Sequence, residues 1–295
     1  MLENSYLLLG LAAAMLYAVA ASSIKTATER GVSSLKVTLL ANLATAAAFL
    51  VFVPWRSEQW LPAAWWPSLI VGGLFFAGQL FTVLALKVGH ASIATPVLGS
   101  KVVMVALLLA VGFAAPVSLN VWIAAAMSSL GIMILAWPDR HLGLRQMLPG
   151  IALSLLAAFC FGLFDILTQF WSRLPGMSFG LLMPPAIVFA TLASAIVIML
   201  IEPGMPTAPR AARLHLVTGV GLLAGQAMIF VSAIGYFGDA AGLNVTYSSR
   251  GIWSVLLVGM FSMHFSIHER LHRGLLIRRL IGATLIAAAV LLIFM

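Results

Sequence analysis

Ten long apolar stretches run through this chain, and nearly all of its charge lies in the short gaps between them. A helix of roughly 20 residues crosses the apolar core of a bilayer. Lipid offers no water to an open backbone, so each stretch is predicted to be a transmembrane helix. The expected spans are Tyr6–Lys25, Lys36–Val53, Trp66–Lys87, Ile93–Phe113, Ser118–Ala136, Leu148–Trp171, Leu181–Ile201, Leu214–Tyr236, Ala241–Met263 and Leu275–Phe294. The predicted class is therefore an all-α integral membrane protein, multi-pass, in the cell (inner) membrane if the chain is bacterial.

Composition removes several other classes. With 62% apolar and 8% charged residues, the chain cannot cover a water-soluble globule of 295 residues with polar surface. The 16 Lys and Arg are scattered over many gaps and form no contiguous basic face for nucleic acid. A single cysteine, Cys160, rules out an intramolecular disulfide and a cysteine metal cage, and it reads as a small buried hydrophobe. The first stretch is preceded by Glu3 and by no Lys or Arg, so it is expected to stay as a helix rather than be removed as a signal peptide. Trp55, Trp60, Trp65, Trp66, Trp137 and Trp171 fall at stretch ends, where indole rings prefer the headgroup level.

The chain repeats itself. Gly72 and Ala77-Gly78-Gln79 recur as Gly219 and Ala224-Gly225-Gln226, 147 residues on. At an offset of 149, Gly89, Ala91, Ser100 and Leu107-Leu108 recur as Gly238, Ala240, Ser249 and Leu256-Leu257, and Lys101 aligns with Arg250. Tyr17-Ala18 lies opposite Phe161-Gly162, and Ala124-Ala125 opposite Gly282-Ala283. The expected division is a first five-helix repeat over residues 1–138, a connecting loop over 139–147 and a second repeat over 148–295. Five is odd, so the second repeat enters the membrane from the other side. Inverted repeats of this kind are transporter architecture, with a substrate site near the midplane between the halves.

On these features the chain resembles the ten-helix drug/metabolite transporter superfamily, the EamA type. The likeness lies in the five-plus-five duplication, the aromatic-small pairs Tyr17-Ala18 and Phe161-Gly162, the junctions Gly89-His90-Ala91 and Gly238-Asp239-Ala240, and the small-residue runs Ala124–Gly131 and Gly282–Ala289. It departs from the common pattern at Ala114-Ala115-Pro116-Val117, which lacks the acidic residue often found after the fourth helix. The resemblance implies a secondary carrier, commonly an exporter of amino acids or other small metabolites. It also implies a central cavity lined by helices one, three, four, six, eight and nine.

Three ionisable residues lie deep in apolar stretches: Lys101, Asp165 and Arg250. Each opposes insertion by about 2.5–3.5 kcal/mol at a helix centre, so they must face a cavity or one another. Lys101 and Arg250 sit at comparable depths from opposite faces, which predicts a cationic pair that attracts a carboxylate or phosphate. Asp165 either bridges to one of these cations or acts as a proton-coupling group. Gln79, Gln226, Asn244, Tyr247 and Ser249 add polar candidates for the same substrate site, with Tyr17 and Trp253 as rings that could stack on a substrate. Hydroxyls can equally bond back to their own helix, and aromatic residues can simply fill space. His264, His268 and His272 recur at a spacing able to bind zinc, but with Arg270 and Arg273 beside them they read as an amphipathic turn at the membrane surface.

The expected function is secondary transport of a small organic metabolite, an amino acid or organic anion, with a proton as a possible partner and no cofactor or metal. The alternative is a membrane enzyme acting on a lipid-linked or phosphorylated substrate, for which no nucleophile–base pair is visible. Of the 14 Lys and Arg outside the stretch centres, all but Arg56 and Arg173 lie on the face opposite the termini. Basic residues are retained in the cytoplasm, so this count predicts both termini on the other side. Ten-helix relatives more usually have cytoplasmic termini.

Overall fold

The computed structural model describes residues 4–53, 65–88, 97–135, 144–204, 207–262 and 273–295. These residues form helices and no strand. The helices are α1 (Leu7–Glu29), α2 (Ser34–Phe49, extended by a 3₁₀ turn over Leu50–Phe52), α3 (Trp65–Val88), α4 (Lys101–Leu107) and α5 (Leu119–Leu135). There follow α6 (Leu144–Trp171), α7 (Phe179–Ile201), α8 (Arg210–Phe237), α9 (Ala240–Tyr247), α10 (Arg250–Ser262) and α11 (Arg273–Phe294). Among the described residues, seven spans are long and apolar enough to cross a bilayer, and two shorter apolar helices, Lys101–Gly112 and Leu119–Leu135, accompany them.

Large apolar side chains lie on the outside as well as in the core: Val111, Leu119, Ile196, Leu200, Leu214 and Leu291 are all exposed. An aqueous surface would not carry so much exposed hydrocarbon, whereas lipid favours it.

Two stretches predicted as single helices are broken. The ninth divides at Ser248-Ser249, where i→i+3 bonds from Ser249 N to Thr246 O and from Gly251 N to Ser248 O replace the regular ladder. The fourth turns at Gly99-Ser100, and α4 begins only at Lys101. Beyond Leu107 it continues as a π turn over Leu108–Gly112, ending at Ala114, which sits in the left-handed region at φ 46°. Both breaks rest on adjacent residues of α5. Ser129 donates to the Gly99 carbonyl at 3.3 Å, and Ser248 donates to the Ser128 hydroxyl at 3.1 Å.

Packing passes from element to element in a closed ring: α6, α3, α7, α2, α8, α1, the broken pair α9/α10, α11, α5, α4 and back to α6. Most neighbours in this ring come from opposite halves of the chain. Exchanging the halves maps the pair α1–α8 onto α6–α3, α2–α8 onto α7–α3, and α1–α9/α10 onto α6–α4, while α2–α7 and α5–α11 map onto themselves.

Small residues set the closest crossings. A Cβ on Gly131 would lie 2.8 Å from the Gly282 carbonyl oxygen, and one on Gly282 would lie 2.7 Å from that of Gly131, so α5 and α11 touch backbone to backbone. Gly221 and Gly225, a small-xxx-small pair on α8, have open space where a Cβ would be.

The end of the bundle that holds the start of α1 is closed by rings. Tyr6 stacks on Phe237 at 5.0 Å, and Phe179 meets Phe52 and Tyr236, each at 5.1 Å. There α8 ends on left-handed Gly238, and Asp239 caps α9 by accepting from Gly242 N at 2.8 Å. Tyr6 donates to the other Asp239 oxygen at 2.7 Å, tying α1 to that cap.

Candidate functional site

The two breaks place the two intramembrane cations. Lys101 is the first residue of α4 and Arg250 the first of α10, each directly after a turn, and both line one recess between the halves. Gly99, Asn244, Tyr247 and Ser248 complete most of its wall. The recess has room for about one water molecule, so the site is closed around its polar groups.

Lys101 is paired. Its Nζ lies 2.7 Å from Asp165 Oδ2, and the Asp165 side chain is only 1% exposed. Asn244 Nδ2 donates to the same oxygen at 2.7 Å and to the Ala240 carbonyl at 2.8 Å. The bridge therefore joins α4, α6 and α9 across the two halves, the first of the two roles the sequence left open for Asp165. Two donors converging on one oxygen is the arrangement of an ionised carboxylate.

Arg250 is held differently. Its guanidinium carbon lies 5.1 Å from the centre of the Tyr17 ring and 4.8 Å from that of Tyr247, within cation–π distance of both. Lys101 has a related setting, 5.9 Å from the Phe161 ring and 5.4 Å from that of Phe230. Tyr17 and Phe161 were aligned by the repeat, and each now lies beside the cation supplied by the other half. Phe161 was singled out in the sequence only as an alignment match, and Phe230 was missed altogether.

Other candidates are scattered. Gln79 lies apart from the recess, in reciprocal 2.8 Å hydrogen bonds with Asn42, which also donates to Ser194 at 2.9 Å. That cluster ties α3 to α2 and α7, and Asn42 carried the signal for it as an amide inside an apolar stretch. Gln226, the repeat partner of Gln79, does not line the recess and has a buried Oε1 without a hydrogen-bond partner among the described residues. The Ser249 hydroxyl and the Trp253 indole nitrogen are likewise buried without one, as is the hydroxyl of Ser100, which the repeat aligns with Ser249. Trp253 packs against the main apolar core. Cys160 is a buried free thiol. The His264, His268 and His272 run and the Gly89-His90-Ala91 junction lie outside the described residues.

Residues 4–137 match the model of the EamA-like transporter family. No curated protein matches the chain significantly in sequence. Among solved structures, one crystal structure of a protein 16% identical in sequence superposes with a TM-score of 0.74, covering 98% of this chain and 96% of its own. That likeness establishes the fold over both halves, including the part beyond the family match.

Proposed function

We propose that this chain, whose residues 4–137 match the model of the EamA-like transporter family, a family that moves small molecules across membranes, is a secondary carrier exporting a small organic metabolite, an amino acid or organic anion. The observation that carries the reading is the meeting of Lys101 and Arg250, from opposite halves, on one buried recess. A charge at that depth opposes insertion; Lys101 is met by Asp165, and Arg250, with no carboxylate paired to it among the described residues, is best accounted for by a polar occupant.

The division into inverted repeats over residues 1–138 and 148–295 belongs to this proposal. It is supported by a packing pattern that maps onto itself when the halves are exchanged. Since most ring neighbours come from opposite halves, access would alternate through the breaks at Gly99-Ser100 and Ser248-Ser249 rather than by rocking one half as a block. Lys101, Arg250, Asn244 and Tyr247 would contact the substrate, with Tyr17, Ser249 and Trp253 around them. Asp165 holds Lys101, and it is also the group through which a proton would couple, since neutralising it frees the ammonium.

In proteoliposomes, Lys101→Gln and Arg250→Gln are each expected to reduce substrate flux by about tenfold or more, the size of a lost charge-assisted contact. Wild-type flux in both variants would remove the two cations from the site. The loop charges further place both termini on the non-cytoplasmic face. A reporter active only in the cytoplasm and fused after Met295 should stay silent, and a strong signal would reverse the orientation.

A further inference from the structure

We propose that the substrate is an organic monoanion, a monocarboxylate with an apolar or aromatic body, and that Asp165 sets this charge selectivity. The inference rests on the carrier reading above and concerns what that site accepts.

Four carboxylate side chains lie among the described residues, and each is engaged away from Arg250. Glu29 lies 3.8 Å from Lys25, Glu202 lies 3.5 Å from Lys36, Asp239 accepts from Tyr6 and caps α9, and Asp165 holds Lys101. No carboxylate among the described residues is within ion-pair distance of Arg250. Arginine does not lose its proton in proteins. With Asp165 ionised against Lys101, the site holds two positive charges and one negative.

One positive charge is therefore left over, beside a recess with room for about one water molecule. The two tyrosine rings lie within cation–π distance of the guanidinium but supply no counter-charge. An occupant of charge −1 brings the site to neutrality, whereas a zwitterion leaves it at +1 and a dianion takes it to −1. Uncompensated charge is strongly disfavoured where water is excluded, so occupants of the same shape are separated by their charge. A planar carboxylate also matches the fork of the guanidinium. Tyr17, Tyr247, Phe161 and Phe230 surround the two cations with rings, which suits an apolar or aromatic body on the substrate.

The test is thermal stabilisation of the purified full-length protein by three ligands of similar shape, at one pH and ionic strength: phenylacetate, phenylalanine and phenylmalonate. Phenylacetate is expected to stabilise at concentrations about tenfold or more below the other two. Asp165→Asn raises the charge of the empty site to +2 and should move the preference to phenylmalonate. Arg250→Gln lowers it to zero and should erase the advantage of phenylacetate over phenylalanine, which keeps the test open if Asp165→Asn does not fold. A wild-type preference for the zwitterion or the dianion, no stabilisation by any of the three, or an unchanged order in Arg250→Gln overturns the proposal. If the binding order holds but proteoliposomes accumulate none of the ligands, the carrier reading fails and the charge assignment stands.

Discussion

Replacing Asp165 with Leu should lower the stability of the protein by about 3–5 kcal/mol, the usual cost of removing one partner of a buried ion pair. The loss comes from what is left behind: Lys101 would keep its charge in a site where its only carboxylate partner among the described residues is gone. Removing the charge as well should reverse most of the damage, so Lys101→Met combined with Asp165→Leu is expected to melt close to the wild type. Thermal unfolding in detergent of the two single variants and the double variant reads this directly. If the double variant is as unstable as the sum of the singles, the bridge is not what makes Asp165 matter. The double variant should also be inactive, since it restores packing without restoring the site.

A second large effect is expected at the crossing of α5 and α11. Gly282→Leu places side-chain atoms where the Gly131 carbonyl now sits, and the obstacle is backbone, which cannot rotate out of the way. The helices must separate, at a cost of at least the ~1–3 kcal/mol of ordinary overpacking. The variant should lose its monodisperse peak in size-exclusion chromatography. Gly221→Leu, at a glycine with open space around it, is the control and should run as the wild type. An intact peak for Gly282→Leu would mean that the crossing is looser than its geometry implies.

The helical spans were legible because the bilayer imposes them: apolar length and the placement of charge are local properties of a sequence. The breaks in the fourth and ninth stretches were not. Around Ser248-Ser249 the chain stays free of Pro, and the turn is stabilised by i→i+3 bonds and by Ser128 on another helix, a contact that no local pattern records. The depth of Lys101, Asp165 and Arg250 marked them as partners of something. Which cation Asp165 would take depended on how α4, α6 and α9 converge, and the sequence left that open. Gln79 shows the limit of the repeat as a guide. It and Gln226 occupy equivalent positions, yet one is satisfied by Asn42 near α7 while the other has a carbonyl oxygen with no partner. Aligned positions in the sequence did not bring matched hydrogen-bond partners.

The ring of helices also bears on how the chain is made. Ribosomes deliver α1, α2 and α3 well before α6, α7 and α8, yet these are the helices against which the first three pack. A nascent first half would wait in the bilayer with its main contact faces uncovered, including the Asn42 amide and the Lys101 ammonium, until their partners are synthesised. Assembly would then be late and concerted, closing the ring in one step rather than docking a finished half onto another. Neither half would persist alone in a cell, whereas two fragments divided in the 139–147 loop and produced together would each supply what the other lacks.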